Sequence, residues 1–166
     1  GKLSQMLVLN SSRADFAEKF QKLIDAYNAG SKNIEEHFAD LKAMAHALSA
    51  EERRHVLANL SEEELAVFDI ITKPAPELTK KEEETVKKIC RELVATLKRE
   101  KLVLDWREKQ QARASVMQTI KLALRPPHLP ESFDRDLRAE KLALTYAHVY
   151  DHYFGADESA YREVGR

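Results

Sequence analysis

The stretch KKEEETVKKICRELVATLKREK, residues 80–101, decides the fold class of this chain. Its apolar side chains recur at spacings of three and four residues, and on a helix they fall within one arc of roughly 140°. Thr79 precedes the stretch and Glu82 follows three residues later, which is the pattern of a capping box at a helix start. The sequence therefore predicts a long amphipathic helix. Its expected buried face carries Val86, Ile89, Cys90, Leu93, Val94 and Leu97.

Helical spacing continues outward from this stretch in both directions. Apolar residues follow it from Phe16 to Tyr27 and from about Asn33 to Leu48, where Ile34, Phe38, Leu41 and Leu48 are expected to face inward. A final helix is expected from about Phe133 to Phe154. Sustained strand alternation appears nowhere. The sequence predicts an all-α fold, an irregular multi-helix bundle of about six or seven helices, in a single domain over residues 1–166 with a loose tail at 155–166. Further capping patterns mark expected helix starts at Ser49 with Glu52, Ser61 with Glu64, and Asp105 with Glu108.

Composition excludes several classes of function. The 27 Lys and Arg against 28 Asp and Glu give a formal net charge of −1, so any basic patch must be local. The chain has four glycines and none between Gly30 and Gly155. The phosphate loop of ATPases, the dinucleotide-binding turn and the nucleophile elbow all require glycine. Unbroken apolar runs reach only four residues, as at 6–9, which predicts no membrane span and a cytoplasmic location.

Few side chains are candidates for chemistry. His148 and His152 lie four residues apart, so a helix would point both imidazoles the same way. Zinc needs three or four ligands, and no further cluster accompanies the pair, so we predict no metal site. Cys90 is expected to be an ordinary core residue among apolar neighbours. We predict no catalytic residue, since the acidic runs at 62–64 and 82–84 fit first helical turns, where negative charge stabilises the helix.

Residues 98–125 are the most distinctive segment. They hold eight Lys and Arg against three acidic residues, a local excess of 8 − 3 = +5. Trp106 and Ile120 mark an inward face, yet Lys109, Gln110 and Arg113 project into the same arc. Two interpretations stay open. Either Arg113 meets a carboxylate in an internal polar network, or this part of the helix is an interface with protein or DNA.

The run KLVLDWREKQQARA, residues 101–114, resembles the signature near the end of the R (restriction and motor) subunit of type I restriction-modification enzymes. Three further stretches agree in order. Residues 9–16 together with 27–31 resemble the entry into that family's C-terminal helical region. Residues 63–69 followed by 73–74 resemble its middle, and residues 147–150 its closing helix. The resemblance spans about residues 9 to 154, which is most of the chain.

The resemblance implies that the chain is a C-terminal fragment of a larger subunit. In that subunit a nuclease domain and ATP-driven motor domains, using ATP and Mg²⁺, translocate and cut DNA, and the fragment itself needs no cofactor. The resemblance further implies a non-catalytic assembly domain that docks the R subunit onto the methyltransferase core of modification and specificity subunits. The alternative is a domain that contacts double-stranded DNA along the translocation path. In either case, Trp and Arg are favoured interface residues, and the candidate contacts are Trp106, Arg107, Lys109, Gln110, Arg113 and Lys121.

Overall fold

The computed structural model describes residues 1–164. Over this range the chain is mainly helical, with one small antiparallel hairpin, which confirms the all-α prediction. Short 3-10 turns occupy Ser11–Arg13 and Trp106–Glu108, and a π turn occupies Leu97–Lys101. The strands are β1 (Tyr153–Gly155) and β2 (Glu158–Ser159). The α-helices are α1 (Lys2–Leu9), α2 (Ala14–Asn28), α3 (Ile34–Leu57), α4 (Glu62–Thr72), α5 (Lys80–Thr96), α6 (Gln110–Ala123), α7 (Arg135–His152) and α8 (Ala160–Val164).

The chain divides into two compact units, the first covering residues 1–61 and the second beginning at Glu62. In the first unit α2 packs against both α1 and α3. Gly30 follows α2 at a φ of +75°, a left-handed conformation that glycine adopts without strain. Asn33 then caps α3, because its side chain accepts a hydrogen bond from the N–H of Glu36 at 2.9 Å.

A buried ion pair ties the start of α2 to α3 within this first unit. The Arg13 side chain is 2% exposed, and its Nε donates to Oε1 of Glu51 at 2.9 Å. Arg54 donates to the same carboxylate, with Nε 2.9 Å from Oε2. Burial raises the pKa of Glu51, but the hydrogen bonds from Arg54 and Arg13 more than offset it, so the pKa lies below its ordinary value.

In the second unit α5 packs against α4 and α6, and α7 also packs against both of these helices. The capping box at the start of α5 is confirmed, with the Thr79 hydroxyl accepting from the N–H of Glu82 at 3.1 Å and the Glu82 carboxylate accepting from the N–H of Thr79 at 3.0 Å. Cys90 lies in the core as expected, and burial raises the pKa of its thiol. The predicted inward face of α5 is confirmed, since Val86, Cys90, Leu93, Val94 and Leu97 are buried and Ile89 packs against them.

Two expected helix starts are wrong. Ser49 lies inside α3, because the Ala- and Leu-containing residues before it favour a continuous helix and contain no glycine or proline. Asp105 makes no side-chain cap and adopts a left-handed φ of +56° before the 3-10 turn. Lys109 is extended, and α6 therefore begins at Gln110 instead of Trp106.

The tail predicted to be loose is ordered in its described part. α7 ends at His152, and the chain then forms β1, β2 and α8, while residues 165–166 lie outside the described range. The N–H of Ala156 donates to the carbonyl of Leu102 at 3.0 Å, which fastens the hairpin to the segment before α6. A small turn of this kind leaves little alternation for a sequence pattern to reveal. No described helix is long and apolar enough to cross a membrane.

Candidate functional site

Trp106 is completely buried in the core of the second unit. Its Nε1 donates to the carbonyl of Tyr153 at 3.0 Å, and its ring meets Tyr146 and Tyr150 edge-on at centroid distances of 6.4 and 5.8 Å. Trp106 is a predicted interface residue on an inward face, and with no accessible surface in this structure it does not touch a partner directly. Trp106 instead fixes the 98–109 segment to α7 and to the hairpin.

Arg107 and Lys109 follow on the surface but are engaged within the unit. The Arg107 guanidinium lies 5.4 Å from the ring centroid of Tyr150 and 5.0 Å from that of Phe154, and its Nη1 donates to the Tyr150 carbonyl at 3.2 Å. The Lys109 ammonium donates to the carbonyl of Leu104 at 3.0 Å. These contacts hold both cations against their own unit. Gln110 is exposed at the first position of α6.

Arg113 is half-buried, and no carboxylate within residues 1–164 pairs with its guanidinium. Its Nη1 donates to the carbonyl of Arg107 at 2.6 Å, which closes the turn between the 3-10 segment and α6. The carboxylate expected for an internal network is replaced by this backbone oxygen. A hydrogen bond to a carbonyl satisfies a guanidinium donor at lower desolvation cost than burying a second charge.

Lys121 differs from the preceding cations. It lies exposed in the last turn of α6, where no described hydrogen bond or carboxylate contact engages it. Its side chain lines a groove of ≈ 290 Å³ that also includes residues of α7. Among the four cations predicted as contacts, Lys121 is therefore the one that no described hydrogen bond holds against its own unit. Trp106 is buried, and partner contact by the other five predicted residues stays a prediction.

The two histidines of α7 do stack, with ring centroids 4.0 Å apart. The Tyr161 hydroxyl lies 3.1 Å from Nε2 of His148, and His152 Nδ1 lies 2.8 Å from the His148 carbonyl. Burial, with His152 beside it, lowers the pKa of His148 to about 3, so the ring is neutral at pH 7. Across residues 1–164 no group of three or more His, Cys, Asp or Glu side chains is arranged to hold a metal ion.

A polar pocket of ≈ 290 Å³ lies between α4, the π turn and the hairpin. The hydroxyl of Tyr153 donates to Oε1 of Glu63 at 2.8 Å, and Nζ of Lys98 pairs with Oε2 of the same residue at 2.9 Å. Burial, reinforced by the Glu63 charge, raises the pKa of Tyr153. Sequence reasoning missed this triad, because the acidic run at 62–64 looked like an ordinary first helical turn and its partners are 35 and 90 residues away.

A second feature that sequence reasoning missed lies in the first unit. Ile34 and Phe38 were expected to face inward, yet they are 72% and 69% exposed, and Val56 is 66% exposed. Met44 is the buried residue of α3. At 3.6 residues per turn, the three exposed side chains lie roughly 80–120° around the helix from Met44, all in the same direction. We call Ile34, Phe38 and Val56 the α3 apolar face.

Comparison with known proteins identifies the family of this chain. Residues 2–149 match the model of the family described as type I restriction enzyme HindI endonuclease subunit-like, C-terminal. The chain belongs to this family. No curated protein and no solved structure gave a significant match.

The match confirms the resemblance drawn from the 101–114 signature. In this type I restriction enzyme domain it includes the α3 apolar face, the 98–125 segment and Lys121. It ends within α7, so the hairpin and α8 lie beyond the matched residues.

Proposed function

We propose that this domain is a non-catalytic assembly domain that docks the R subunit of a type I restriction enzyme onto its methyltransferase core of modification and specificity subunits. The observation that carries the proposal is the α3 apolar face. In this proposal ATP and Mg²⁺ are used by other parts of the R subunit, and the domain supplies binding surface.

The α3 apolar face has the properties of a docking surface. Between Ile34 and Val56 it extends ~33 Å along one side of a continuous helix at 1.5 Å per residue. Ile34 and Phe38 lie one turn apart, and neighbouring exposed apolar side chains of this size are typical of interaction sites. Complete burial of each side chain against a partner would contribute about 1.5–3 kcal/mol. This pair would form the centre of the interface, with Val56 as a separate contact.

The same family could instead contact double-stranded DNA along the translocation path. That alternative depends on cations that are free to meet phosphates. Arg107, Lys109 and Arg113 all donate to backbone carbonyls of their own unit, which keeps their charges but holds their side chains against that unit and away from a duplex. The net charge of −1 provides no compensating long-range attraction. The geometry therefore favours a protein partner.

The test is a pair of titrations of the chain, one with purified methyltransferase core and one with nonspecific duplex DNA, each at low and moderate salt. We expect micromolar or tighter binding to the core that persists at moderate salt, because apolar contacts are not screened. The double variant Ile34→Ala, Phe38→Ala should weaken that binding at least tenfold. Leu144→Ala is the matched control, since Leu144 is a large apolar residue, 47% exposed on α7 and outside the α3 apolar face.

Two results would overturn the proposal. One is the absence of core binding by the unaltered chain at micromolar concentrations. The other is binding to duplex DNA alone with affinity that falls steeply as salt rises, which is the signature of phosphate neutralisation and would support the DNA-contacting alternative.

A further inference from the structure

Four cations surround one groove in the second unit. Lys121 lies in the last turn of α6 and Arg125 four residues later, while Arg135 and Arg138 lie at the start of α7. All four line the same groove of ≈ 290 Å³. We call it the basic groove. Its apolar floor is formed by Leu124, Ala139 and Leu142.

The carboxylates nearest in sequence to Arg135 and Arg138, which are Glu131, Asp134, Asp136 and Glu140, form no ion pair with the groove's cations within residues 1–164. Across residues 1–164 none of its four cations forms an ion pair, although Lys73, Lys87 and Lys98 of the same unit each do. Arg138 donates to the carbonyl of Phe133 at 2.6 Å, which fixes its side chain without removing its charge. Lys121, Arg125 and Arg135 are exposed, so their charges face solvent beside a groove whose own surface is almost entirely apolar.

The position of two of these cations runs against helix electrostatics. The first turn of a helix carries a partial positive charge, so cations there are unfavourable. α7 nevertheless carries Arg135 at its first position and Arg138 three residues on, while its favourable interactions come from the Asp134 cap, whose carboxylate accepts from the N–H of Leu137 at 2.8 Å. The Asp134 cap and Asp136 in the first turn offset this cost, so the two arginines can keep their places beside the groove.

We infer that the basic groove binds an acidic segment of a protein partner, with an apolar side chain seated on the Leu124–Leu142 floor and carboxylates on the cationic rim, a step that rests on the proposed function. Both parts of the groove select this occupant. The rim complements negative charge, and arginine pairs with carboxylates through two parallel hydrogen bonds. The floor requires an apolar group. A duplex backbone offers phosphates and sugars and would leave that floor unfilled.

Charge reversal tests the rim. In the chain carrying Lys121→Glu and Arg125→Glu, we expect affinity for the methyltransferase core to fall at least tenfold at low salt, with a smaller loss at moderate salt because exposed charges are screened. The matched control is Lys80→Glu with Lys81→Glu, which makes the same change in net charge at an exposed helix start where acidic residues are favourable. We expect the control to bind within twofold of the unaltered chain.

A zero-length carbodiimide cross-link tests the chemistry of the occupant. The reagent joins an amine to a carboxylate in direct contact, so a cross-link from Lys121 must end on an Asp or Glu of the core. Mass spectrometry should find that residue in an acidic peptide that also contains apolar side chains. Lys121→Arg keeps the positive charge and removes the amine, so the cross-link should disappear.

The outcomes separate the two hypotheses. Absence of core binding by the unaltered chain overturns both. Normal core binding by the charge-reversed chain, without a Lys121 cross-link, overturns the groove inference alone and leaves docking through the α3 apolar face. Loss of duplex DNA binding with unchanged core binding would make the groove a DNA contact and also overturn the inference.

Discussion

Gly155 allows the hairpin to approach the rest of the second unit closely. A Cβ at this position would lie 2.6 Å from the carbonyl oxygen of Val103 and 3.3 Å from Cδ1 of Trp106, and φ is +109°. Both the contact and the backbone conformation exclude a side chain. Glycine is thus what permits the Trp106 indole and the hairpin to share one packed junction.

We expect Gly155→Ala to lower the free energy of unfolding by about 2–4 kcal/mol, because left-handed strain and a backbone clash add together. Gly30→Ala is the control, since Gly30 also has a positive φ, +75°, but has nothing within 4 Å of its added Cβ. It should lose only about 1 kcal/mol from strain. Urea denaturation of the three chains measures the difference, and equal losses would contradict the close approach at Gly155.

The buried imidazole of His148 makes stability depend on pH. Its pKa is lowered from 6.5 to about 3 in the folded chain, first by burial and then by His152. In the unfolded chain this imidazole is protonated near pH 6.5, whereas in the folded chain it is protonated only near pH 3. The free energy of unfolding therefore falls as pH decreases from about 6.5 towards 3. Between pH 7 and pH 5 the loss should approach ~2 kcal/mol, at 1.36 kcal/mol per pH unit below 6.5.

The measurement is the free energy of unfolding at pH 7 and pH 5 for the unaltered chain and for His148→Gln. The variant has no group that titrates at this position, so its loss between the two pH values should be smaller by about the same ~2 kcal/mol. His46→Gln serves as the control, because His46 is exposed on α3. An identical pH dependence in all three chains would rule out a neutral buried His148.

At the scale of elements, a lysine of α7 caps the C-terminal end of α4. The Lys141 side chain of α7 is buried, and its ammonium donates to the carbonyls of Ile70 and Lys73 at 2.8 and 2.7 Å, at the C-terminal end of α4. Those carbonyls lack intrahelical partners and carry the negative end of the helix dipole. Burial lowers the pKa of Lys141, whose side-chain nitrogen lies in a site built from acceptors.

Lys141→Met should destabilise the chain by about 1–3 kcal/mol, because methionine keeps the apolar stem and leaves two carbonyls without a donor. Lys121→Met makes the same change at an exposed position of α6 and should stay within about 0.5 kcal/mol of the unaltered chain. Thermal or urea unfolding distinguishes them. Comparable stabilities for both variants would show that α4 does not depend on this cap.

These elements also show what a sequence can predict. α5 was predictable because its periodicity and its Thr79 capping box lie within consecutive residues. Lys141 was not, since its acceptors are 68 and 71 residues away and no local pattern links them. The α3 apolar face was misplaced for a related reason. Periodicity shows that apolar residues share a side of a helix, but the position of the neighbouring helix decides which side is covered.

At the scale of the whole molecule, each compact unit carries one candidate surface. The first unit presents the α3 apolar face, and the second presents the basic groove. One surface is apolar and the other is charged over an apolar floor. A partner that engages both would gain affinity from the first and orientation from the second, because charge complementarity contributes more to specificity and association rate than to affinity.

A domain that docks in this way should compete with its parent subunit. Added in excess to an assembled type I enzyme, the chain should occupy the site on the methyltransferase core and reduce ATP-dependent DNA cleavage several-fold. Methylation by the core should not change, because methylation does not require the R subunit in this proposal. The Ile34→Ala, Phe38→Ala chain should inhibit at least tenfold less potently, whereas Leu144→Ala should inhibit like the unaltered chain. Inhibition that is lost when competitor duplex DNA is added would instead show that the chain acts by binding the substrate, which is the result that a docking domain does not allow.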